Sequence, residues 1–142
     1  MATRASIQDI KPEVEEHWLD GSPWYQRAYF EERVNSELYR SKRYEVETSI
    51  VFVRIPAISR RAAGTLYTYV STQLRAIDIA GMLGSGDYVV CLPHTPREGA
   101  EVVARRIRAF LEDHSPQLGV ASFGEDGTEF ESLVAAAEAR VS

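Results

Sequence analysis

The sequence predicts an α/β fold in which helices pack against a mixed sheet, and three observations carry that expectation. Apolar, β-branched runs at residues 48–55 and 118–123 have strand character. Segments with apolar residues at helical spacing lie before, between and after them. Two further apolar runs, 79–83 and 88–92, flank Gly84-Ser-Gly-Asp87, and glycines between apolar runs mark a hairpin. The predicted order is helix, strand, helix, hairpin, helix, strand, helix. A chain of 142 residues, 44% hydrophobic and 26% charged, suits one domain with a single core.

Residues 1–21, with Pro12 and the acidic run Glu13-Val-Glu-Glu16, carry a weak helical pattern that ends at Asp20-Gly21-Ser22-Pro23. They are expected to form a linker or docking helix, and 22–142 the folded domain. Ser22 and Pro23 suit an N-cap and first turn, after which Phe30, Val34 and Leu38 recur at helical spacing to about Arg43. The strand at 48–55 is nearly all apolar, as a central strand is, and Pro56 stops it. Leu66, Val70 and Leu74 mark a helix over 62–75. After the hairpin, Thr95-Pro96-Arg97-Glu98 has the form of a capping box, followed by Ala100, Val103, Ala104, Ile107 and Leu111 on one face. The strand 118–123 turns at Gly124-Glu-Asp-Gly127 into a last helix, expected to be capped by Thr128 and Glu131.

Several function classes are disfavoured. No apolar run approaches the roughly 20 residues of a membrane span, and the start lacks an apolar signal core, so a cytoplasmic location without membrane insertion is expected. A net charge of -5 argues against broad attraction to nucleic acid, although Arg105, Arg106 and Arg108 could meet a small anion. Cys91, the single cysteine, lies in an apolar run and is expected to be a small buried hydrophobe. His17, His94 and His114 lack metal-ligand spacing, and no G-x-S-x-G nucleophile motif occurs.

The stretch Arg75-Ala-Ile-Asp78 to Gly84-Ser-Gly-Asp-Tyr88 resembles the signature hairpin of GGDEF (diguanylate cyclase) domains with its catalytic letters rewritten. Tyr29-Phe-Glu-Glu-Arg33, Leu92-Pro93, Leu118-Gly-Val-Ala-Ser122 and Glu125-Asp-Gly127 resemble other parts of that family in the same order. The resemblance implies a nucleotidyl cyclase-like fold, with a ferredoxin-like core and a mainly antiparallel sheet flanked by helices.

An active member of that family joins two GTP molecules using divalent cations held by a strand-end aspartate and an acidic hairpin residue. Here those positions align with Arg54 and Gly86, so only Asp87 keeps a carboxylate in the hairpin. A guanidinium repels the cation that phosphoryl transfer needs. The family's guanine-binding segment is also shortened, by roughly two or three helical turns. The resemblance therefore implies a domain without catalytic residues, metal or cofactor, in which Asp87 is a turn residue.

What is kept is the family's R-x-x-D inhibitory-site motif, at Arg75 and Asp78, with Arg106 aligned to a further arginine for the same ligand, cyclic di-GMP. The chemistry is sensible: an arginine fork matches guanine O6 and N7, and a carboxylate accepts from the N1 and N2 edge. The plain alternative makes Arg75 a cation at a helix C-terminus with Asp78 its exposed partner, and leaves Arg105 and Arg108 on a solvated face. The leading expectation is a cyclic di-GMP receptor that regulates a protein partner or acts as a homodimer. Its rival is a ligand-independent dimerisation or interaction module; residual cyclase activity would rest on Asp87 alone.

Overall fold

Strand β1, Thr48–Arg54, is buried at every residue but its last, and its alternating side chains supply two separate cores. In the computed structural model, which describes residues 27–56, 59–84 and 86–142 with Arg60 in backbone only, β1 pairs on both sides. The first predicted segment, residues 1–21, and the proposed cap at Ser22 and Pro23 lie outside the described residues.

The elements in chain order are α1 (Arg27–Tyr44), β1, α2 (Arg60–Gln73), β2 (Ile79–Gly84), β3 (Asp87–Pro93), α3 (Arg97–Phe110), a short 3-10 turn (Glu112–His114), β4 (Gln117–Ser122) and α4 (Phe130–Glu138). The sheet order is β2-β3-β1-β4. All three pairings are antiparallel. This is the ferredoxin-like βαββαβ arrangement, and the sheet among the described residues is antiparallel throughout where the sequence allowed a mixed one.

Val51, Val53, Tyr88, Val90, Leu92, Leu118 and Val120 face α2 and α3 through Leu66, Tyr69, Ala100, Ile107 and Leu111. Ile50, Phe52, Val89, Cys91 and Ala121 face α1 and α4 through Phe30, Val34, Leu38, Phe130 and Leu133. The rings of Phe30 and Phe130 meet edge to face at 5.8 Å, which ties α1 to α4. Cys91 is fully buried in this second core, and burial pushes its thiol pKa up. At Gly119 a Cβ would stand 2.0 Å from the Ala137 carbonyl oxygen, so only glycine lets α4 lie this close to β4.

Three boundaries differ from the sequence expectation. Helix α2 begins at Arg60, with Ser59 Oγ accepting from the Ala62 N–H at 3.1 Å, and ends at Gln73, so Arg75 lies beyond it. Thr95 does not cap α3: Pro96 is the N-cap, without a side-chain hydrogen bond, because the Thr95 hydroxyl is engaged elsewhere. The last capping box forms one residue later than expected, between Glu129 and Ser132, and leaves Thr128 outside it.

Candidate functional site

The residues singled out by sequence fall at opposite ends of β1. Arg54 ends the strand directly across from Asp87 on β3, whereas Thr48 at the start lies across from Pro93. Six residue steps of extended chain separate the ends by about 20 Å.

At the Arg54 end of the strand, Gly86 in the β2–β3 hairpin has a φ of 83°, a conformation that suits glycine. The Gly86 carbonyl accepts from the Ile55 N–H at 2.8 Å. Arg54 donates to both oxygens of Asp87, from Nε at 2.9 Å and Nη2 at 3.1 Å. Nη2 also donates to Glu138 Oε2 at 2.6 Å, and the guanidinium lies 5.1 Å from the Phe52 ring centroid. These hydrogen bonds, first that to Asp87 and then that to Glu138, raise the Arg54 pKa further above its already high ordinary value. A divalent cation does not fit this set: both nearby carboxylates already face a permanent positive charge. Asp87 is thus a paired strand residue rather than only a turn residue. Glu138 had no signal in the sequence as Arg54's partner.

At the other end, Arg75 to Asp78 forms a tight turn after α2. The Asp78 N–H donates to the Arg75 carbonyl at 3.0 Å. Asp78 Oδ2 accepts from the Arg75 N–H at 2.8 Å and from its Nε at 3.3 Å, and Oδ1 accepts from Nη2 at 2.8 Å. The Asp78 side chain is only 2% exposed, so it is not the exposed partner of the plain alternative. The Arg75 side chain stays 49% exposed. The second hydrogen of its Nη2 is shared between the Pro93 carbonyl at 2.8 Å and Thr95 Oγ1 at 2.7 Å. Its Nη1 meets no acceptor among the described residues.

Arg106 is exposed on α3, and its charge lowers the Tyr69 phenol pKa against the larger raising effect of burial. Among the described residues no hydrogen bond or ion pair joins it to Arg75 or Asp78. The structure therefore brings two of the three predicted residues together. Arg105 and Arg108 border a separate open groove of about 520 Å³ with Glu112, Ser115 and Pro116. Arg108 Nη1 donates to the Ser142 carbonyl at 2.8 Å.

A third polar centre had only a faint sequence signal, the Glu125-Asp-Gly127 turn. Asp126, with a side chain 6% exposed, accepts from Arg97, from Arg140 and from the Ser122 N–H. It joins the start of α3, the end of β4 and the end of α4. Its carboxyl is held well below the usual range, chiefly by the hydrogen bond from Arg140.

No protein-family model matches the sequence, and no curated protein does. Solved structures do. The GGDEF domain of TpbB (YfiN) from Pseudomonas aeruginosa superposes with a TM-score of 0.74 at 21% identity, over 86% of this chain and 84% of that one. The GGDEF domain of DgcB from Caulobacter crescentus, solved with cyclic di-GMP, gives 0.74 at 9% identity, over 87% and 84%. Diguanylate cyclase SiaD from Pseudomonas aeruginosa, solved with its activator SiaC, gives 0.76 at 18% identity, over 96% of this chain and 61% of that one. The sheet order, the central hairpin and these superpositions agree: this chain has the fold of a GGDEF domain.

Proposed function

We propose that this is a catalytically inactive GGDEF domain that binds cyclic di-GMP at the turn carrying Arg75 and thereby regulates a protein partner. The observation that carries the receptor half is Arg75 itself: a half-exposed guanidinium, fixed on one edge by the fold, whose Nη1 meets no acceptor among the described residues. Such a group suits the carbonyl and phosphate oxygens of a guanine nucleotide. That structures of this fold have been solved with cyclic di-GMP supports the choice of ligand.

Inactivity is supported by Arg54. Its guanidinium stands between Asp87 and Glu138, where it repels a divalent ion and neutralises the carboxylates that would hold one. The short connection from the end of β1 at Arg54 to the start of α2 at Arg60 leaves little chain to hold a guanine base. The two ends of β1 are independent, so losing metal chemistry at one leaves the other intact.

Asp78 reads a base only if its pair with Arg75 opens, because its carboxylate is buried and bonded. Arg106 joins from α3 as a longer-range positive charge. Calorimetry with cyclic di-GMP should give heat that Arg75→Ala abolishes, while magnesium and GTP yield no product. Absence of heat at tens of micromolar protein, or binding indifferent to Arg75→Ala, sinks the receptor reading. Synthesis of cyclic di-GMP from GTP sinks the inactive one.

The closed Arg75–Asp78 pair also favours a second reading, a ligand-independent interaction module in which that pair only braces the turn. A dimer or partner complex indifferent to nucleotide on gel filtration would select it.

A further inference from the structure

We propose that Thr95 is the positioning residue of Arg75: its hydroxyl, held by the sheet, fixes which edge of the guanidinium faces a ligand. This rests on the receptor reading for its consequence, but its structural part stands alone.

The hydroxyl has one proton, and it goes to the Pro93 carbonyl at 3.0 Å. A lone pair of Thr95 Oγ1 is therefore left to accept from Arg75 Nη2 at 2.7 Å. The bond to Pro93 holds the hydroxyl, and the Thr95 backbone that carries it is anchored too. Its N–H donates to the Glu47 carbonyl at 3.0 Å, and its carbonyl accepts from Ser49 Oγ at 2.8 Å. Ser49 is in turn hydrogen-bonded to Ser122 Oγ at 2.8 Å, directly across the β1–β4 ladder. Buried hydroxyls at Ser49 and Ser122 are otherwise unfavourable in a sheet core, and together with the Thr95 carbonyl they satisfy one another.

The consequence is a guanidinium oriented before any ligand arrives. Nε and one hydrogen of Nη2 face Asp78, the second Nη2 hydrogen is shared by the Pro93 carbonyl and Thr95 Oγ1, and Nη1 meets no acceptor among the described residues. A side-on, two-nitrogen grip on guanine O6 and N7 through the Nε–Nη2 edge is closed. What remains is an end-on donor, suited to one phosphate or carbonyl oxygen. A freely rotating arginine would have to be immobilised on binding, and Thr95, acting with Asp78 and the Pro93 carbonyl, lowers that cost.

The test compares Thr95→Val, which keeps shape without a hydroxyl, with Thr95→Ser, which restores it. Side-chain nitrogen NMR reads Arg75 without ligand. Wild type and Thr95→Ser should show a restricted guanidinium with resolved Nη protons at low temperature, and Thr95→Val an averaged one. Cyclic di-GMP affinity should fall about tenfold in Thr95→Val and recover in Thr95→Ser. An Arg75 signature unchanged by Thr95→Val overturns the proposal. So does an averaged signature in the wild type, an outcome that requires no variant to fold. If the signature changes as expected while the wild type binds no cyclic di-GMP, Thr95 still positions Arg75 and only the receptor reading fails.

Discussion

Two arginines show how surroundings decide what one residue type does. Arg54 has two carboxylate partners and an aromatic face, whereas Arg75 has one carboxylate, two neutral oxygens and open water. Arg54→Met should leave Asp87 and Glu138 facing each other without a cation. The expected cost is about 1 kcal/mol at neutral pH, since the groups are partly solvated. Urea unfolding at neutral pH measures that cost, and an unchanged midpoint would show that the ion pairs contribute nothing. Asp126 gives a sharper pH signature. Its folded pKa is depressed, so its stabilisation is fully present above the ordinary carboxylate value of about 4 and is lost as pH falls towards the depressed one. Asp126→Asn should therefore lower stability at neutral pH and flatten the acid limb of the stability curve. A parallel acid limb in the variant would show that other groups dominate. Arg75 and Asp78 were legible in the sequence because their partnership is local, three residues apart. Glu138 lies 84 positions from Arg54, and Thr95 lies 20 from Arg75, and no periodicity encodes such pairings. In the sequence Thr95 reads as a helix cap, since a hydroxyl before a helix looks the same whichever acceptor or donor it finally meets.

At the level of elements, strands and helices were readable because each has one period and one or two buried faces. The ends were less so. Helix α2 starts and stops two residues earlier than its apolar spacing suggested, because Ser59 supplies a cap that the apolar count does not weigh. The last capping box moved by one residue because Glu129 and Ser132 satisfy each other's backbone groups while Thr128 stays outside. What no pattern announced is how near α4 approaches β4. Gly119→Ala should place its methyl against the Ala137 carbonyl, a backbone atom with little room to retreat. A loss of about 2 kcal/mol is expected. Thermal unfolding would measure it, and an unchanged Tm would mean that α4 slides freely over the sheet.

For the whole molecule, a sheet covered on both faces places its two chemical ends far apart and its middle out of reach of water. Cys91 belongs to that middle, on β3, fully buried and with a thiol that burial keeps protonated. A thiol reagent needs the thiolate and a path to it, and the native state offers neither. Because the chain has a single cysteine, any labelling reports this one strand. Reaction should be slow in native buffer, should accelerate with denaturant in step with global unfolding, and should slow when cyclic di-GMP is added if the Arg75 turn binds it. Rapid labelling under native conditions would mean that the β2–β3 hairpin opens by itself. The buried sulfur thus serves as a built-in clock for the opening of the sheet, and any ligand that favours the folded state should slow it without a tag or mutation.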